Sequence, residues 1–181
     1  MIETDVRRTP GGELVLHHDP LPAAPHADLC TLHDLVAAAR GRVALDIELK
    51  EPGFEEDALS ALTPRPEGLW LTSFLPGVLE AIAALDPAVP TGLLIDAGDV
   101  AGDAPARARA CGARILAPHA SLFDDRLRGA AMDAGLGLIV WTVNDRERLG
   151  ELLADPAVDC VITDDVPLAV TLRDRFRPQF G

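Results

Sequence analysis

The side chains best suited to metal and phosphate chemistry gather in two short stretches near the start of the chain. "IETDVRRTPGGELVLHHDP", from Ile2 to Pro20, carries Glu3 and Asp5 on one side of a glycine pair and His18 on the other. "VALDIELK", from Val43 to Lys50, carries Asp46, Glu48 and Lys50 at every second position. Carboxylate oxygens are hard donors that suit a divalent cation. Crowded together, they repel unless a cation or a proton intervenes. A histidine beside them can move a proton near neutral pH. Lys50 is the only lysine among 16 basic residues, the rest being arginine. Its place beside carboxylates points to a need for a compact, mobile ammonium, as at a phosphoryl oxygen. Together these groups suit metal-assisted chemistry on a phosphate ester.

Elements of alternating period must position these groups. Side chains alternate across a strand, so Glu3 and Asp5 share one face, and Asp46, Glu48 and Lys50 share another. "RRTPGGEL" between two apolar runs reads as a hairpin, with Gly11-Gly12 as a two-residue turn needing positive φ at both positions. That turn sets Pro10 opposite Glu13, Thr9 opposite Leu14 and, down the ladder, Asp5 opposite His18. Opposed residues have Cβ atoms roughly 5 Å apart. The expected register thus gathers Glu3, Asp5 and His18, and a slip of one residue would scatter them.

The remainder of the chain has a matching rhythm. Strand candidates are Ile2–Val6, Val43–Leu49, Leu69–Phe74, Thr91–Ile95, Arg114–Ala117, Leu138–Val143 and Cys160–Thr163. Helix candidates lie near Leu32–Arg40, Phe54–Leu62, Gly77–Leu85, Ala104–Cys111, Asp124–Ala134, Arg146–Ala154 and Pro167–Phe176, with Thr31 and Asn144 as N-caps. Apolar strands each followed by a helix mean a parallel sheet covered by helices. Polar residues collect where strands end, as on the active rim of a (β/α) barrel. The expected fold is an α/β, TIM-type barrel, incomplete, with about seven parallel strands. A doubly wound sheet is the other candidate, but its phosphate-binding glycine fingerprint is absent.

The 181 residues suit one domain, residues 1–181, with 48% apolar residues to fill a core. A net charge of −13 excludes a general nucleic-acid binder. Membrane-span length and a signal pattern are both lacking, so no stable membrane anchor is expected. Cys30, Cys111 and Cys160 share no metal or redox spacing and read as reduced thiols of a cytoplasmic protein.

In order along the chain, "IETDVRRTPGGELVLHHDP", "LDIELK", "LTSF", "IVWTVND" and "VITDDVP" resemble the landmarks of the glycerophosphodiester phosphodiesterase family, TIM-barrel relatives of phosphatidylinositol-specific phospholipase C. The resemblance runs from Ile2 to about Pro167. It implies that Glu3, Asp5 and Glu48 hold a divalent metal, magnesium or calcium. It further implies that His18 is a general acid/base, that Lys50 contacts the phosphate, and that Trp141 walls the glycerol end. The implied reaction is hydrolysis of a glycerophosphodiester to an alcohol and glycerol 3-phosphate.

The chain also departs from that pattern. Nothing corresponds to the family's opening βα unit, with its His-Arg-Gly and Glu-Asn motifs. The insertion after "HDP" is reduced to the Leu21–Leu29 loop, and Asp46 stands where asparagine is common. Impaired turnover is therefore expected, along with unpaired barrel edges open to self-association. A non-catalytic barrel that binds metal or phosphodiester is the alternative. A lipid-directed lyase or phospholipase would want an apolar rim, which this acidic composition does not offer.

Overall fold

The computed structural model describes residues 1–21 and 28–176; His26 and the centre of the Leu21–Leu29 loop lie outside them. In chain order the elements are β1 (Ile2–Arg8), β2 (Leu14–Leu16), α1 (Leu32–Ala39), β3 (Leu45–Leu49), α2 (Glu55–Ala61), β4 (Trp70–Ser73), α3 (Pro76–Leu85), β5 (Thr91–Ile95), α4 (Ala104–Ala110), β6 (Ile115–Pro118), α5 (Asp125–Asp133), β7 (Gly137–Val140), α6 (Arg146–Ala154), β8 (Cys160–Val161) and α7 (Val166–Phe176). They fall into two compact units: Met1–Leu93 with Cys111–Ala113, and Leu94–Ala110 with Arg114–Gly181.

The first unit holds the strand order β2-β1-β3-β4-β5. β1 runs parallel to β3, β3 to β4 and β4 to β5, while β2 is antiparallel to β1. One face of β1, β3 and β4 is apolar. Val6, Leu45, Ile47, Leu49 and Leu71 are fully buried there. They share a core with Leu32, Val36, Phe54, Ala58, Val78 and Ile82 from α1, α2, α3 and the residue before α2. Burying each large aliphatic side chain contributes about 1.5–3 kcal/mol, so this face anchors the strands. Their other face is free to carry charge. In the second unit, β6, β7 and β8 are parallel neighbours, each followed by a helix.

Two local expectations are corrected. Gly11-Gly12 is not a two-residue turn: the Thr9 N–H donates to the Glu13 carbonyl, and the Gly12 N–H to the Thr9 carbonyl, both at 2.9 Å. Of the two glycines only Gly12 has positive φ, at 91°. The connection is therefore a three-residue loop, a turn with Pro10 at its first corner closed by a left-handed glycine. The ladder pairs Val6 with Leu16, Arg7 with Val15 and Arg8 with Leu14. It brings His17, whose N–H donates to the Asp5 carbonyl at 3.1 Å, to the place expected for His18. The second correction concerns a cap. Asp145, not Asn144, caps α6 by accepting the Arg148 N–H. Asn144 instead donates to Asp164 and accepts from the Thr163 hydroxyl and the Asp164 N–H. The Thr31 cap is as expected, closed into a capping box by Asp34.

Beside β1, β2 pairs only with Val6–Arg8. Ile2 stays 46% exposed next to the stretch that β2 does not cover.

Candidate active site

The parallel ladder between β1 and β3 sets Glu3 beside Asp46 and Asp5 beside Glu48. Lateral neighbours share a face, so four carboxyl groups stand together opposite the apolar core. One ligand oxygen from each of Glu3, Asp5 and Glu48 lies within 4.8 Å of the others. Asp46 is 1% exposed and Glu48 6%. Lys50 reaches back into this group: its Nζ is 2.8 Å from Glu48 Oε1 and 3.2 Å from Asp5 Oδ1. It also lies 5.7 Å over the Phe74 ring. Neither Phe74 nor Thr72, whose hydroxyl donates to Asp46 Oδ1 at 2.9 Å, was singled out from sequence. Their signal was their place in "LTSF", at the end of the strand beside the acidic one. Ser73 is structural, donating to the Leu49 carbonyl and accepting from the Leu75 N–H.

These contacts set the proton affinities. Withdrawal from water pushes Glu3 up to about 7, with repulsion from Asp5, Asp46 and Glu48 adding to it. Burial also pushes Glu48 up to about 7, against the pull of Lys50. Asp46 rises to about 6, again through burial, with the Thr72 hydrogen bond resisting. For Lys50, burial works downward, but Glu48 and Asp5 outweigh it and hold the ammonium charged.

The residues fit a hard divalent cation. Three carboxylates converge, and Glu48 Oε1 is buried without an aligned hydrogen bond, 2.8 Å from the Lys50 ammonium. Such acids take up protons more tightly folded than unfolded. Their contribution to stability is therefore fully present at low pH and is lost as pH rises through about 7. Asp19 and Asp34, which are lowered, act oppositely, but only at the acid end of the scale. Urea midpoints in chelator should accordingly fall between about pH 5 and about pH 8, and magnesium should flatten that fall. A midpoint that climbs over this range would contradict the crowding of these acids.

The converging carboxylates do not include the other site candidates. His18 has a 73% exposed side chain, and its Nδ1–H donates to Asp19 Oδ1 at 3.0 Å. That bond leaves Nε2 as the nitrogen available for proton transfer and holds the Asp19 carboxyl below its usual range. Trp141 belongs to the second unit, just past β7. Its Nε1–H donates to the Ala117 carbonyl, and its ring meets His119 edge-on at 5.2 Å. His119 is itself tied to Ser121.

The profile of the glycerophosphoryl diester phosphodiesterase family matches residues 62–168, more than half of the 181. The chain belongs to that family. It is thus a phosphoric diester hydrolase of the glycerophosphodiester-cleaving class. Among solved structures, a glycerophosphodiester phosphodiesterase from Parabacteroides distasonis ATCC 8503 is 21% identical over 97% of this chain and 84% of its own, with a TM-score of 0.79. An Oleispira antarctica phosphodiesterase in complex with the product sn-glycerol-3-phosphate is 22% identical over 95% and 84%, at 0.81. The glycerophosphodiester phosphodiesterase of Agrobacterium tumefaciens str. C58 is 18% identical over 95% and 85%, at 0.74. No curated protein matches. The likeness shows the fold of this family member: an α/β, incomplete TIM barrel of the glycerophosphodiester phosphodiesterase type, as its strand rhythm leads one to expect.

Proposed function

We propose that the chain, acting as one domain over residues 1–181, hydrolyses glycerophosphodiesters to an alcohol and glycerol 3-phosphate with the help of magnesium or calcium. The convergence of Glu3, Asp5 and Glu48 on one face of β1 and β3 carries this reading. A cation held there would polarise a phosphoryl oxygen and offset the charge gathering on it. Lys50, kept charged by its acidic neighbours, neutralises a second oxygen. His18, with Nδ1 bound to Asp19, moves a proton at Nε2 between water and the leaving alcohol. Trp141 offers its ring as an apolar wall for the glycerol backbone.

Several features support the wider setting. The product held by the Oleispira antarctica enzyme is the one proposed here. Three free cysteines suit a reducing compartment such as the cytoplasm. Among the described residues no helix is long and apolar enough to cross a membrane. Self-association would use the stretch of β1 next to Ile2 that β2 leaves uncovered.

Glycerophosphocholine should yield choline and glycerol 3-phosphate, slowly, because one imidazole serves as both acid and base. Chelator should stop the release. Equal turnover in chelator would sink the metal-dependent reading. A second reading rests on Lys50, whose ammonium already sits among the acids. In that reading the barrel binds metal or phosphodiester without turnover, and metal binding with no product would support it.

A further inference from the structure

We infer that Arg7 is the positioning residue that ties the His18-bearing segment to the end of β3; the inference rests on the acid–base reading of His18. Arg7 follows Asp5 by two positions on β1 and therefore shares a face with Glu3 and Asp5. Its side chain is 12% exposed. The Nε–H donates to the His18 carbonyl at 2.9 Å, and Nη1 donates to Glu51 Oε2 at 3.3 Å. Glu51 is itself fixed, since its Oε1 accepts the Arg8 N–H at 3.0 Å. Because Glu51 directly follows Lys50, one guanidinium spans from the phosphate-facing end of β3 to the segment just past β2. His18 needs such a tie. The partner of its imidazole, Asp19, is its own chain neighbour and moves with it. Its connection to the acid-bearing strands runs through the backbone, by His17 N–H to the Asp5 carbonyl and by Arg7 to the His18 carbonyl. The planar fork of arginine meets both acceptors at once, which a single ammonium does not reproduce.

The test follows the full chain by NMR, with Mn²⁺ alone as the probe at the carboxylates. In the natural chain, bound Mn²⁺ should broaden the His18 ring protons. In Arg7→Gln that broadening should fall at unchanged Mn²⁺ affinity. The His17 amide should exchange about tenfold faster, as loss of one hydrogen bond from a charged donor implies. The Leu16 amide, bonded to the Cys30 carbonyl, is the control and should stay as it was. Arg7→Lys should share the defect. Glu51→Gln should reproduce a weaker form of it, and serves in place of Arg7→Gln if that variant does not fold. Unchanged exchange at His17, a parallel rise at His17 and Leu16, or full rescue by lysine would each overturn the inference. A natural chain whose His18 ring ignores bound Mn²⁺ would instead defeat the acid–base reading of His18, and the His17 amide would still decide on Arg7.

Discussion

Glu48→Gln is expected to take magnesium and calcium binding below calorimetric detection. Glutamine keeps the volume of the buried side chain, so the core behind β3 is not disturbed. It removes the charge from the carboxylate that is the most buried of the three, and the one laterally paired with Asp5. It also turns the buried Oε1, now faced by Lys50, into a weaker donor to a cation. Lys50 retains Asp5 at 3.2 Å and stays charged. In chelator at pH 8 the variant should unfold no more easily than the parent, because the desolvation cost of one buried charge goes with it. Undiminished metal binding would remove Glu48 from the site.

His18→Ala should lower metal-dependent turnover by about a hundred- to ten-thousand-fold, the usual loss when a general acid/base is removed. Metal binding should stay intact, because the side chain is exposed and stands outside the converging carboxylates. A fall of the same size in metal affinity would mean that His18 acts as a ligand. Full turnover in the variant would move proton transfer to another group. Measured as single turnovers with excess enzyme, the comparison is independent of slow product release.

Much of this arrangement is legible in the sequence alone. The strand Thr91–Ile95 and the helix Arg146–Ala154 coincide with the expected elements residue for residue. Alternation alone placed Asp46, Glu48 and Lys50 on one face, because a strand whose apolar partners are Leu45, Ile47 and Leu49 has only one way to lie. The hairpin register was not legible. A Gly-Gly pair after proline satisfies a two-residue turn and a three-residue loop equally well, and the choice depends on which backbone groups close across it. That one ambiguity moved His18 by a residue and put His17 opposite Asp5. The α6 cap failed for a similar reason: Asn144 and Asp145 can each cap, and the distant partner Asp164 took the first. Tertiary partners such as Phe74 over Lys50 leave no local mark at all.

The alternation of β1 and β3 has one more consequence, for how this protein can change over time. The same backbone puts Val6, Ile47 and Leu49 into the core on one side and Asp5, Glu48 and Lys50 toward the chemistry on the other. Adding or deleting a single residue within Ile2–Val6 or Leu45–Leu49 would exchange the two sides, driving carboxylates into oil and turning leucines toward the substrate. Unless a bulge absorbed it, such a step would cost the fold along with the activity, which favours length variation in loops such as Pro10–Gly12. Drift toward an inert relative would have to proceed by substitution on the charged side alone, leaving the core face unchanged beneath a silent one.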